Sequence, residues 1–567
     1  MTRAWPASFA AAAAALAFGR AQEPLTVPRV VAEVLADTDG DGRKELLVVA
    51  GEPADGVRFL RHAAAAGGAW EPRGAMRLRD PVHTLFAIAD VHPRPGEEVV
   101  VADPSGTAWL EWPAAAGGDD PVVHALARRA RFTLRTGAPQ RSPFVRDLGR
   151  DGRLDLLLPT LRGVQPFVQE APGDGDAPVF RAMDVVPVPI VTTVDGGTDG
   201  LDRELQGTLV IPQIETQDLD GDGRPDLLTR DELKHAFHLQ RADGTFAPPV
   251  EVDLTQFQDS TPKAAVAPGS TLVLGDTQLL QRGDVDGDKI PDFVIAHRRK
   301  VWTFLSGKAG PQFTKARTQA VADDVTAMLI VDLDGDERAE LLTFQVQVPG
   351  IGALLLGLVQ SIDIDVKAVG YRSEGGAFAN TPTWRRVVTL RIPPLLSLLS
   401  RQEELLQRFT DIVGKARLGV RGAFTAAARS DLALVRRDGN AVDLFVLDGE
   451  QPSLSRDAGR RLLRRVLFDD PDPVFDLDRL FGLLSGFLDE LSGGLVGDRA
   501  PVATLALRDP ASFRLVDLLV GDLDGTADPA NGGARDEMVA VYERTAESAS
   551  PPTRTYDVLV WPAAAAK

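Results

Sequence analysis

Short apolar runs of strand length recur along the chain, and an acidic cluster stands directly in front of many of them. Leu46–Ala50, Leu227–Thr229, Phe293–Ala296 and Leu341–Thr343 are built from aliphatic, β-branched and aromatic residues, the composition of strands. Between them, Val57–His62 alternates apolar and polar positions and Val301–Leu305 is apolar and aromatic, which adds further strands. Many units end in a turn and an aromatic: Gly68-Ala-Trp70, Gly244-Thr-Phe246, Gly310-Pro-Gln-Phe313 and Gly376-Ala-Phe378. The pattern predicts an all-β protein. Two stretches break the period of two. Leu398, Leu399, Leu405, Leu406, Phe409, Ile412 and Val413 recur at helical spacing, as do Leu462, Leu463, Val466, Leu467, Leu480, Leu484, Phe487, Leu488 and Leu491. They predict helical insertions at about 393–415 and 458–496. Such helices pack on each other or cap one face of the molecule; docking a partner or a membrane surface is the alternative.

The acidic cluster is a nine-residue loop. It reads Asp37-Thr-Asp39-Gly-Asp41-Gly-Arg-Lys-Glu45, Asp218-Leu-Asp220-Gly-Asp222-Gly-Arg-Pro-Asp226, Asp284-Val-Asp286-Gly-Asp288-Lys-Ile-Pro-Asp292 and Asp332-Leu-Asp334-Gly-Asp336-Glu-Arg-Ala-Glu340. Calcium takes six to eight hard oxygens in flexible geometry. Carboxylates at positions 1, 3, 5 and 9 supply them if the chain curls, and glycine at position 4 eases the curl. An EF-hand needs an acid at position 12 and flanking helices; position 12 here is Val48, Thr229, Ile295 or Thr343. A single Asp-Gly cluster is an ordinary turn, but four copies with acids at the same four positions point to about four calcium sites.

Weaker copies lie between the strong ones. Asp147, Asp151 and Asp155 keep positions 1, 5 and 9, with Gly149 at position 3. Asp522 and Asp524 begin a copy that an insertion then interrupts before Arg535-Asp536-Glu537. These add one or two weaker sites. Asp90-Val-His92-Pro-Arg94-Pro-Gly-Glu-Glu98 keeps only its ends, and Asp431 resembles the loop exit alone; neither is expected to bind metal. Copies therefore start near 37, 90, 147, 218, 284, 332, 423 and 522, a period close to that of propeller blades, roughly 40–50 residues plus loops.

On the Asp-x-Asp-Gly-Asp loop, the strand after it and the Gly-x-Phe ending, residues 25–565 resemble the FG-GAP/VCBS repeat family of calcium-loop propellers, also seen in integrin α-subunit heads. The resemblance implies a seven- or eight-bladed β-propeller over residues 22–567, with calcium on the blade-edge loops. The count of copies favours eight. One closed ring is expected, with a strand around Val30–Leu35 pairing near Tyr556–Trp561.

The formal charge of -19 argues against nucleic-acid binding, which needs a basic face; four calcium ions would bring it to about -11. Residues 1–21 resemble a secretory signal, with Arg3, an apolar stretch Phe9–Phe18 and small residues before Gln22. An extracellular, periplasmic or cell-surface location is expected, where millimolar calcium suits open loops. Cysteine is absent, and no segment is apolar for long enough to span a membrane as a helix. Catalytic wiring is not legible: there is no His-Glu-x-x-His pair, no Gly-x-Ser-x-Gly elbow and no phosphate loop. His235 and His238 lack a third ligand and read as core or surface residues. The leading expectation is a secreted calcium-binding module or scaffold with a protein or glycan ligand. The alternative is a polysaccharide lyase of the rhamnogalacturonan type, which also resembles a calcium-bound propeller. Against it stand the acidic charge and an aromatic content of 6%.

Overall fold

A computed structural model describes residues 24–559 apart from breaks, the longest at 128–137, 196–205, 261–271, 406–418, 448–459 and 526–534. The signal-like residues 1–21, and Leu406, Phe409, Ile412 and Val413 of the first insertion, lie outside the described residues. Among those described, eight sheets of three or more strands follow one another along the chain. The first is Val30–Ala36, Glu45–Glu52, Gly56–Ala64 and Trp70–Leu78, paired in that order. The corresponding strands of the others begin at Leu85, Val145, Gln213, Leu279, Ala327, Gly419 and Phe513, and Leu272–Val273 joins the sixth sheet by pairing with Gln347–Val348. Pairing is antiparallel except where Gln140–Arg141 and Val474–Asp476 add short parallel strands to the second and sixth sheets.

Every acidic loop, strong or weak, joins the first strand of a sheet to its second. The second strand is apolar on both faces because it packs between two neighbouring sheets. Val294 and Ala296 pack with Leu341 and Val369 of the sixth sheet, while Phe293 and Ile295 pack with Leu228 and Phe237 of the fourth. Likewise Val49 meets Phe86 and Val99 of the second sheet, and Leu46 and Val48 meet Val541 and Tyr556 of the eighth. Arg298, at φ +50°, turns the chain within the long run Asp292–Phe304.

The eighth sheet contains both ends of the described chain, for Leu25–Val27 pairs with Arg554–Tyr556. The expected pairing of Val30–Leu35 is thereby corrected: Val30–Ala36 is the first strand of the first sheet and pairs with Glu45–Ala50. Arg29, at φ +53°, breaks the extended run between the two strands, and Val30 N–H donates to the Pro552 carbonyl across the seam (2.8 Å).

The second insertion is not wholly helical. Residues 460–464 are α-helical and Arg465–Asp469 widens to a π turn. Val474–Asp476 then extends the sixth sheet, and a helix follows over Leu477–Val496. The sequence that follows the π turn, Asp470-Pro471-Asp472-Pro473, is unsuited to helix, since proline disfavours helix in the residue before it. Asp476 caps the second by accepting from Arg479 N–H (2.8 Å). Leu463 and Leu467 cover Leu333, Leu342 and Ala368 of the sixth sheet, and Val496 covers Leu432, Leu434 and Phe445 of the seventh. The insertion thus packs against both of these sheets. Among the described residues, no helix is long and apolar enough to cross a membrane.

Candidate metal centres

Each loop is pinned by its own carboxylates. The ninth-position acid reaches back to the backbone N–H of position 2: Glu45 to Thr38 (2.8 Å), Asp155 to Leu148 (2.9 Å), Asp226 to Leu219 (2.7 Å), Asp292 to Val285 (2.8 Å) and Glu340 to Leu333 (2.7 Å). In Asp155, Asp226 and Asp292 the second oxygen accepts from a residue at or just beyond the end of the third strand, Gln169, Gln240 and Ser306 N–H respectively (all 2.8 Å). The weakest copies retain the staple. Glu98 accepts from Val91 N–H (2.9 Å), and Asp431 accepts from Thr425 N–H (2.7 Å). Position 1 closes the curl: Asp218 accepts from Gly221 and Gly223 N–H, and Asp284 from Gly287 and Lys289 N–H.

Five loops bring carboxylate oxygens within 4.8 Å of one another: Asp37, Asp39, Asp41 and Glu45; Asp218, Asp220 and Asp226; Asp284, Asp286 and Asp292; Asp332, Asp334 and Asp336; and Asp522, Asp524 and Glu537. Burial pushes Asp226 and Asp292 up to about 6, and Glu340 and Glu537 up to about 7, against the pull of the N–H groups they accept. Neighbouring loop carboxylates raise them further. Such a set favours a cation in its midst. Glu340 Oε1 is buried without a hydrogen-bond partner, and all donors are hard oxygens, so the residues fit a divalent ion such as calcium. Side-chain cations already lean on several loops: Arg43 on Asp41, Arg153 on Asp151, Arg224 on Asp222, and Arg372 on Asp334 (3.2 Å).

Some expected ligands stand apart. Asp147, Asp151 and Asp155 form no such group among the described residues, since Gly149 leaves position 3 without an oxygen. Asp222, Asp288 and Glu340 lie outside their groups; Asp222 and Asp288 each accept the N–H two residues on instead. Glu537 is the residue that sequence reasoning missed. It is the ninth-position acid of its loop, stapling Leu523 N–H (2.8 Å), and the insertion after Gly525 hides the count. Its one signal is an acid directly before the apolar run Met538–Val541. His235 and His238 are buried core residues in the strand Lys234–His238, and burial pulls His238 down to about 4.

Neighbouring loops are also linked. The first-position carbonyl accepts from the eighth-position N–H of the next loop: Asp284 from Ala339 (2.7 Å), Asp37 from Glu97 (2.5 Å) and Asp522 from Lys44 (2.5 Å). The position-4 glycine lies beneath the next loop's seventh residue. A side chain on Gly221, Gly287 or Gly525 would meet Ile290, Arg338 or Arg43 at 3.1–3.2 Å. All three are at positive φ (+74°, +88° and +69°). Glycine is therefore required twice, by the curl and by the neighbour.

Comparison with known proteins adds a family match within the chain and a likeness to solved structures. Residues 284–343 match the FG-GAP-like repeat. None of the curated proteins matches. Among solved structures, the chain is similar to a lectin of Agrocybe aegerita described as specifically recognising non-reducing terminal N-acetylglucosamine. The two are 15% identical over 64% of this chain and 80% of that one, with a TM-score of 0.25. At that score the likeness carries no argument.

Proposed function

Because residues 284–343 are an FG-GAP-like repeat, we propose that this chain is a secreted, calcium-stabilised, eight-bladed β-propeller acting as a binding or scaffold module. One observation carries the reading: in eight successive sheets a stapled loop joins the first strand to the second, and the eighth incorporates both ends of the described chain. First strands of the fifth and sixth, seventh and eighth, and eighth and first sheets lie side by side, as blades around a central axis would place them. Calcium would be held by the five acidic groups, with Asp222, Asp288 and Glu340 completing their shells. It supplies positive charge where three or four carboxylates converge. The chain's own contribution is to fix the loops through the ninth-position staples, so that the carboxylates are gathered in advance. Secretion is supported by the signal-like character of residues 1–21. The ligand would be a protein or a glycan. Thermal unfolding in millimolar calcium and in chelator, with bound calcium counted after gel filtration, tests the metal. A glycan array in calcium tests the ligand class. A melting temperature indifferent to chelator, with no calcium retained, sinks the reading.

A further inference from the structure

In the sixth sheet, the nine residues of Glu340–Val348 carry the chain about 27 Å away from the Asp332 loop. Its partners Ile362–Tyr371 and Trp384–Ile392 have their Ile362 and Ile392 ends on that same remote side. There the chain turns over residues 356–359, with Val359 N–H donating to the Leu356 carbonyl (3.0 Å). Trp384–Ile392 runs through Pro393-Pro394 into a short helix, Leu395–Ser400. The turn and the helix are joined, for Leu396 N–H donates to the Leu358 carbonyl (3.2 Å). Leu356, Leu358, Val359 and Leu396 are 58%, 43%, 64% and 55% exposed, four of the twelve large apolar side chains so placed among the described residues. No charged residue occurs from 341 to 362 or from 392 to 400, in a chain that is 25% charged. The arginines that flank this patch are each answered by a carboxylate, Arg391 by Asp363 (2.8 Å) and Arg401 by Glu404 (2.9 Å).

We propose that this patch is a membrane-contact site, which seats its four apolar side chains in the surface layer of a zwitterionic lipid bilayer. An exposed apolar patch marks a protein or a lipid contact, and composition decides between the two. Protein interfaces centre on tyrosine, tryptophan and arginine; residues 356–362 and 392–400 contain none of them. Hydrocarbon accepts leucine and valine and rejects charge, and charge is what both segments lack. The paired arginines leave no surplus cation for anionic headgroups, which the net charge of -19 would repel. The contact is peripheral, since side chains on a turn and a short helix reach the boundary between headgroups and acyl chains and no further. It lies on the side of the sixth sheet remote from the acidic loop, needs no calcium, and stands independently of the function proposed above.

The chain has no cysteine, so a single introduced thiol can carry an environment-sensitive fluorophore. Full-length protein labelled at Leu358→Cys with a nitrobenzoxadiazole dye is titrated with phosphatidylcholine vesicles. Its emission should brighten several-fold and shift to the blue. The same dye at Val122→Cys, exposed on the outer strand of the second sheet, should not respond. Because the dye reports its own surroundings, lipid binding elsewhere on the chain does not mimic this result. Leu356→Ser should raise the lipid concentration needed about tenfold, the scale of burying one leucine. Leu356→Asp combined with Leu396→Asp should abolish the response, whereas chelator and added salt should leave it unchanged. Melting curves show whether the charged pair still folds, and Leu356→Ser carries the test if it does not. Silence at Leu358, an equal response at Val122, or a response that survives the charged pair overturns the proposal. So does a response that requires calcium or phosphatidylserine. A blue shift that grows with protein concentration in the absence of vesicles makes a second copy of this chain the occupant, and equally overturns it.

Discussion

Glu98 isolates the loop staple from the metal, because its loop has His92 and Arg94 where ligand acids would stand. Its Oε2 accepts from Val91 N–H (2.9 Å) and His92 N–H (3.2 Å), and burial pushes its carboxyl up to about 7, with Asp90 adding to the rise. The folded state therefore holds a proton that the unfolded chain, titrating near 4.5, has released. The stability this contributes is complete below about pH 4.5 and is lost as pH rises through about 7. At pH 8 the ionised group costs at most about 2–3 kcal/mol. Glu98→Gln keeps an acceptor for the two N–H groups and removes the charge. It should be near neutral at pH 5 and should stabilise at pH 8 by up to about 2 kcal/mol. Glu98→Ala leaves two N–H groups without an acceptor and should cost about 2–6 kcal/mol at pH 5, less at pH 8. Urea unfolding followed by tryptophan fluorescence, at pH 5, 6, 7 and 8 in chelator and in calcium, reads all of this. The reasoning is refuted if Glu98→Gln has the same effect at every pH, if it destabilises at pH 8, or if its effect depends on calcium.

Asp220→Ala should change stability little in chelator but forfeit one site's calcium increment, about 1.4–2.7 kcal/mol at ten to one hundred times Kd; an equal loss in both conditions would make Asp220 structural. Asp286→Ala should weaken calcium binding at the Asp332 loop as well, through the Ala339–Asp284 hydrogen bond; calcium titration that shows one site lost and the others unchanged counts against the linkage. Leu467→Ala should cost about 2–5 kcal/mol in unfolding experiments, because it uncovers the sixth sheet. Replacing 395–413 by a short Gly-Ser loop should leave the circular-dichroism β signal unchanged, and unfolding on that replacement would make the first insertion part of the core.

The acidic loops were legible because one residue pattern encodes both a turn and the strand that follows it, so even Asp90 and Asp431 marked true first-to-second-strand connections. What the pattern could not carry is whatever depends on a partner distant in sequence. Leu25–Val27 is three residues long and has meaning only beside Arg554–Tyr556. Val474–Asp476 sits between helical stretches, and its two apolar residues become a strand because the edge of Trp384–Ile392 is there to receive them. Glu537 was hidden by an insertion that moves it along the sequence without moving it from the start of its strand. Asp147, Asp151 and Asp155 show the converse: with Gly149 at the third position, the right spacing does not bring their oxygens together as in the five groups.

The linkage between loops also changes what counts as an exchangeable part. A sheet and its loop look like a module that could be copied, deleted or grafted whole. Yet the glycine at position 4 is fitted to the seventh residue of the following loop, as Gly221 is to Ile290 and Gly287 to Arg338. The smallest piece that carries its own fit therefore begins in one sheet and ends inside the next. A chimera cut between sheets severs that fit at both junctions, whereas a segment that starts before the glycine of one loop and ends after the seventh residue of the next carries one such fit intact. Each loop thereby constrains the substitutions that its predecessor can accept.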